Sequence, residues 1–227
     1  MISVGKDSSM PCTDDRMIQF IHIPKNGGSS IEHAILGIDT LSRERDRSRK
    51  NILYGLVPMV DRIRYGLWSV REWQHLTAEQ IKRVVGGRVW RDAFKFTVVR
   101  NPWDRMVSWY CYLRRREPFP RWLRTLDTTG THVRMARLRM NQVDWLLDRD
   151  GKLMVNEVLR YEAFDEQLRK LQQRLGMERP IPHIRRSDRK ATAAYYDPES
   201  IDRVTAIYAS DIRYFGYMFP HESEVNK

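Results

Sequence analysis

The sequence predicts an α/β fold in which helices flank a central parallel sheet. Two stretches carry that prediction. In each, an apolar run of strand length enters a short polar turn and then a helix-spaced apolar stripe. The first runs from residues 18–23 through a glycine turn into a helix, and the second from 94–99 through Asn101 and Pro102 into another. Two strand–turn–helix units in succession imply βαβ construction, and ligands of such sheets bind at the carboxyl ends of the strands. The chain has 227 residues, of which 41% are hydrophobic, enough for one large domain with its own core.

The first unit reads Phe20-Ile21-His22-Ile23-Pro24-Lys25-Asn26-Gly27-Gly28-Ser29-Ser30-Ile31. Pro24 cannot donate to a central ladder, so the strand ends there. Gly27 and Gly28 allow a ligand to approach the main chain closely. Ser29 or Ser30 is expected to cap the helix, along which Ile31, Ala34, Ile35 and Ile38 recur at helical spacing. The turn points backbone N–H groups at one spot and Lys25 adds a cation, a combination suited to phosphate or sulfate. Read alone, Asn-Gly-Gly is also ordinary surface-turn chemistry. The loop is no Walker A motif, because GxxxxGK[ST] places its lysine after the glycines.

Residues 1–16 read as a flexible leader and residues 39–74 as irregular. Thr77 and Gln80 form a capping box for a helix ending near Gly86, with His75 just before the cap. At the second turn, Arg100 stands at the strand's carboxyl end, Asn101 is a good N-cap and Pro102 a good first helical residue. Met106, Val107, Tyr110 and Leu113 continue the stripe, and Ser108 lies about two turns beyond Arg100. Residues 114–140 are arginine-rich and broken by Pro118 and Pro120, which predicts a loop or short helices on a rim of the site. Residues 142–147 look helical and 153–159 are a further strand candidate. Phe164, Leu168, Leu171 and Leu175 give an amphipathic helix closed by Gly176. Asp197-Pro198-Glu199 opens a last helix whose buried face is Ile201, Val204 and Tyr208. The aromatic stretch 214–219 is expected to dock on the core, and 222–227 form a tail.

The net charge is +11, and most of the basic charge is arginine, the better bidentate partner for phosphate, sulfate and carboxylate. That predicts anionic partners without choosing among them, and a general arginine bias explains the excess equally well. Cys12 and Cys111 are the only cysteines, so there is no disulfide framework or zinc spacing, and no bridge or metal site is expected. Residues 1–16 lack the apolar core of a signal peptide, and nothing approaches the ~20 apolar residues of a membrane span. A cytoplasmic protein is expected, although a catalytic domain trimmed of an anchor would read the same.

Residues 24–30 resemble the 5′-phosphosulfate loop of the PAPS-dependent sulfotransferases, PAPS being 3′-phosphoadenosine 5′-phosphosulfate. Phe96-Thr97-Val98-Val99-Arg100-Asn101-Pro102-Trp103-Asp104-Arg105-Met106-Val107-Ser108 resembles their 3′-phosphate motif. The resemblance runs over residues 17–219 and is to the carbohydrate (Golgi-type) branch and its bacterial relatives. Residues 142–147 and 211–217 share it. It implies a P-loop-like three-layer fold, a single domain over 17–221, and sulfuryl transfer from PAPS to a hydroxyl of a carbohydrate or small metabolite. Lys25 would stabilise charge on the leaving phosphate oxygen, and the backbone from Asn26 through Gly27, Gly28 and Ser29 to Ser30 would cradle the same group. Arg100 and Ser108 would hold the 3′-phosphate. His75 falls where the catalytic base commonly lies, with Glu72, Glu32 and His183 as other candidates. His22, inside the strand, reads as structural. The chain departs from the pattern at Asn26 and Ser29, where threonines are usual, and at Arg185, where asparagine is usual. Arg185, Arg186 and Lys190 remain candidate phosphate partners. Trp103 and Trp109 read as core.

Two other classes stay open on sequence: a P-loop-like nucleotide-dependent phosphotransferase, and a non-catalytic binder of polyanions such as nucleic acid or sulfated glycans. The first lacks GK[ST] and an obvious Mg²⁺ carboxylate, and no specific nucleic-acid partner is expected. Acceptor contacts are expected in 39–74 and 114–140. Their arginines suit an acidic sugar or glycan, and equally a solvated rim.

Overall fold

A computed structural model describes residues 12–13, 15–37, 75–126, 137–182 and 189–220. Three strands form one parallel sheet in the order β1 (Ile18–Ile21), β2 (Phe94–Val99) and β3 (Glu157–Arg160). Phe20 pairs with Phe96, and Phe96 with Glu157. The helices are α1 (Gly28–Ala34), α2 (Ala78–Val85), α3 (Gly87–Asp92), α4 (Pro102–Tyr112), α5 (Phe119–Thr125), α6 (Phe164–Arg174), α7 (Pro198–Ile207) and α8 (Ala209–Phe215).

Alternation along the strands sorts the core into two faces. Phe20, Phe96, Val98 and Leu159 pack with Ile31 of α1 and with Leu168 and Leu171 of α6. Ile21 and Val99 face the other way, toward Ile81, Met106, Trp122, Val204 and Tyr208. Helices therefore cover both faces, the three-layer arrangement expected, and the strands read as nearly continuous apolar runs for that reason.

The local signals place most helix ends. Thr77 and Gln80 make both arms of their capping box, and Gly86 closes α2. The Asn101 side chain accepts from the Trp103 N–H. Asp197 caps α7 through the Ser200 N–H at 2.8 Å. Three expectations shift. Residues 142–147 hold only a short 3-10 turn, Val143–Trp145. The third strand begins at Glu157, because Leu153 instead bridges back to Leu147. Cys12, in the expected leader, is buried in the core and bridges antiparallel to Gln19. Both cysteines are free thiols.

The aromatic end docks in part. Phe219 packs edge-on against Trp103 and Tyr196, and Tyr217 is buried, whereas Tyr214 is exposed. Trp103 and Trp109 are core residues. Among the described residues no helix is long and apolar enough to cross a membrane.

Candidate active site

The carboxyl ends of the three strands meet at one place. After β1 the chain turns through Lys25 and Gly27, both left-handed, at φ 73° and 80°. For lysine that geometry costs on the order of 1 kcal/mol, so surrounding contacts must hold it. Arg105, fully buried on α4, donates from Nε to the Pro24 carbonyl oxygen at 3.2 Å. Arg100 donates from Nη1 to the Lys25 carbonyl oxygen at 2.8 Å. Asn26, also buried, donates from Nδ2 to the Val98 carbonyl oxygen and to Gln142 Oε1, each at 2.7 Å. The Lys25 ammonium lies 4.1 Å from the centre of the Tyr112 ring, at the end of α4.

Gly27, and neither serine, is the N-cap of α1, and no side chain caps the helix. The left-handed glycine starts the helix earlier than a cap at Ser29 or Ser30 would, and the Ser30 and Ile31 N–H groups turn back to its carbonyl. Among the described residues the Gly28 and Ser29 N–H groups meet no acceptor. With the Asn26 and Gly27 N–H groups, which likewise meet none among the described residues, they are groups of this loop that an anion could take.

Both glycines are also sterically required. A Cβ on Gly27 would lie 2.9 Å from Phe164 Cε2 and 3.2 Å from Tyr161 Cε2. One on Gly28 would lie 1.8 Å from His22 Nε2, inside any contact distance.

Arg100 is 4% exposed and fixed on every side. Nε and Nη2 both donate to Asp104 Oδ2 at 2.6 Å, and the Tyr161 ring covers the guanidinium at 3.9 Å. With Nη1 on Lys25, one N–H remains on each terminal nitrogen for a ligand. Asp104 Oδ1 accepts from Arg189 at 2.5 Å and from the Thr192 hydroxyl. Burial pushes the Asp104 carboxyl up, but Arg100, Arg189 and these hydrogen bonds outweigh it and hold the group below its ordinary value. Ser108 lies on α4 and is nearly buried.

Gln142, fully buried, joins the strand ends to the C-terminal helix. Its Oε1 accepts from Asn26 and from the Arg100 N–H, and its Nε2 donates to the Arg100 carbonyl and to Asp211.

His22 and His75 lie edge to face with ring centres 4.4 Å apart. His22 Nδ1 is 2.8 Å from Glu32 Oε1 in a buried pair. His75 Nδ1 is 3.0 Å from the His22 carbonyl oxygen. A carbonyl only accepts, so Nδ1 carries the proton and Nε2 presents a lone pair. Burial, chiefly, holds His75 well below the ordinary histidine value of 6.5. The His22 imidazole and the Arg137 and Arg105 charges act in the same direction, against the hydrogen bond to His22.

The structure thus brings together Lys25, Asn26, Gly27, Gly28, Ser29, Ser30 and Arg100, and sets His75 beside the strand from which that loop departs. Glu32, a candidate base on sequence, is paired with His22. Arg185, Arg186, His183 and Glu72 lie outside the described residues. Sequence reasoning missed Asp104, Tyr161 and Gln142. Asp104 left a signal, since it stands four residues after Arg100 on one helix face. Among the described residues no group of three or more His, Cys, Asp or Glu is placed to hold a metal ion.

Compared with known proteins, residues 10–218 match the model of the sulfotransferase family. A search of curated proteins and a search of solved structures each returned no match.

Proposed function

The chain belongs to the sulfotransferase family, and from that membership we propose an enzyme that takes its sulfuryl group from PAPS and delivers it to a hydroxyl of a carbohydrate or small metabolite. The observation that carries the reading is the bond from Arg100 Nη1 to the Lys25 carbonyl. It joins two anion-binding motifs at neighbouring strand ends, which suits a nucleotide charged at both ends of its ribose. The residues fit such a group: uncapped N–H groups and a lysine in one motif, an oriented guanidinium with two remaining N–H groups and a serine in the other.

PAPS supplies an activated sulfuryl group on a phosphate leaving group. Lys25 and the loop from Asn26 to Ser30 stabilise the charge that develops on that phosphate, as fixed donors do in an oxyanion hole. Arg100 and Ser108 hold the 3′-phosphate, and Arg185 and Arg186 are proposed from sequence as further phosphate partners. His75 accepts the acceptor's hydroxyl proton at Nε2. Its depressed pKa keeps that nitrogen free at neutral pH, and its bond to the His22 carbonyl keeps the tautomer. Arg114, Arg116 and Arg121 are exposed on the segment that follows Tyr112, which supports an acidic acceptor.

The test is incubation with PAPS and a panel of uronate-bearing and neutral oligosaccharides. Sulfated product is expected from the native chain and not from Lys25→Ala. Equal product from both would contradict the reading.

A further inference from the structure

Building on the reading that the Lys25 loop holds an anion, we propose that His22, locked by Glu32, is the positioning residue on which that loop is seated and which ties it to His75. Three contacts converge on this one residue. Its Nδ1 is fixed by Glu32 at 2.8 Å, an oxygen supplied by α1, the helix that follows the loop. Its Nε2 edge lies directly against Gly28, where a Cβ would come within 1.8 Å. Its carbonyl receives His75 Nδ1 at 3.0 Å. The ring itself is nearly buried, stacked on Phe20 and edge-on to His75.

A buried imidazole needs a partner for its N–H, and the position of that partner sets how the ring is turned. Here Glu32, 1% exposed, fixes the ring's rotation, and that rotation sets how closely Gly28 can approach. The Gly28 N–H is one of the loop N–H groups left for an anion, so the ring controls a donor it does not itself contribute. His22 touches neither nucleotide nor acceptor in this account, and it acts through Gly28 and His75. His75 faces His22, Arg105 and Arg137, so removing the imidazole takes away one of the groups that disfavour its protonation and leaves the two arginines.

The experiment is a double-mutant cycle read by the binding of 3′-phosphoadenosine 5′-phosphate, PAP. Gly28→Ala drives a methyl group into the imidazole and is expected to weaken PAP at least ~100-fold, equivalent to two decades in Kd. His22→Ala in the same chain makes room for that methyl and is expected to recover about tenfold or more. His22→Ala leaves Glu32 buried without its partner, so a triple variant carrying Glu32→Gln as well keeps the comparison available if the double variant fails to fold. In parallel, the acid limb of kcat/KM for His22→Ala is expected to move to higher pH. A purely structural His22 would lower the melting temperature but leave both readouts in place. Absence of rescue, or an unmoved acid limb, overturns the proposal. Failure of the native chain to bind PAP at all would instead overturn the donor assignment on which it rests.

Discussion

His75 donates from Nδ1 to the His22 carbonyl oxygen across 3.0 Å. The base candidate and the segment that leads from β1 into the Lys25 loop are therefore fixed to each other by one backbone hydrogen bond. Because burial and neighbouring positive groups hold His75 well below 6.5, its working, neutral form persists into mildly acidic solution. The acid limb of kcat/KM is expected clearly below that value, and His75→Ala is expected to lower kcat by roughly 10²–10⁴. A pH–rate profile with its limb at or above 6.5 would contradict the assignment.

Lys25→Ala is expected to lower kcat by ~10²–10³, the usual loss when one charge-stabilising donor is removed. PAP affinity is expected to fall less, since the Gly28 and Ser29 N–H groups remain. Comparing single-turnover rates with PAP titrations separates the two. A variant that loses only affinity would mean that Lys25 binds without assisting the transfer.

Asp104 makes a pH prediction of definite sign. Its folded pKa lies below the ordinary 3.8 because Arg100, Arg189 and Thr192 outweigh its burial. A carboxyl depressed by folding stabilises the protein above its unfolded pKa, and that stability is lost as pH falls through the folded pKa. The stability advantage of the native chain over Asp104→Asn should thus be full at pH 6 and shrink below about pH 4. Glu162 and Asp211, raised chiefly by burial, work in the opposite direction, which is why the difference between the two chains is the quantity to measure. Urea midpoints at a series of pH values supply it, and a difference that grows on acidification would reverse the assignment.

Gln142→Leu removes a buried amide that bonds Asn26, Arg100 twice, and Asp211. The cost is expected to be roughly 3–5 kcal/mol, because the partners left behind are themselves buried. Chemical denaturation measures it. A loss under about 1 kcal/mol, the worth of a single ordinary hydrogen bond, would mean that the network is not a unit.

What the sequence made legible is local. The caps at Thr77, Asn101 and Asp197 sit beside the groups that they bond, so their signals survive in a linear reading. The two motifs were legible because each strand runs straight into its own turn. The start of β3 was not: its register is set by pairing with β2, and Leu153 resembles a strand residue until Leu147 takes it. Gln142 and the Asp104–Arg189 pair were hidden for the same reason, since their partners lie 42 to 116 and 85 residues away. The Gly27 cap was missed because serine at a helix start is the stronger propensity. Here a left-handed glycine, wedged against Tyr161 and Phe164, overrides it.

The most direct test of the account is calorimetric titration with PAP, using AMP and ADP as controls. Micromolar binding that requires the 3′-phosphate, and that Arg100→Ala reduces to the level of AMP, is the predicted result. Equal binding of all three nucleotides, or binding of none, would contradict the assignment of PAPS as donor.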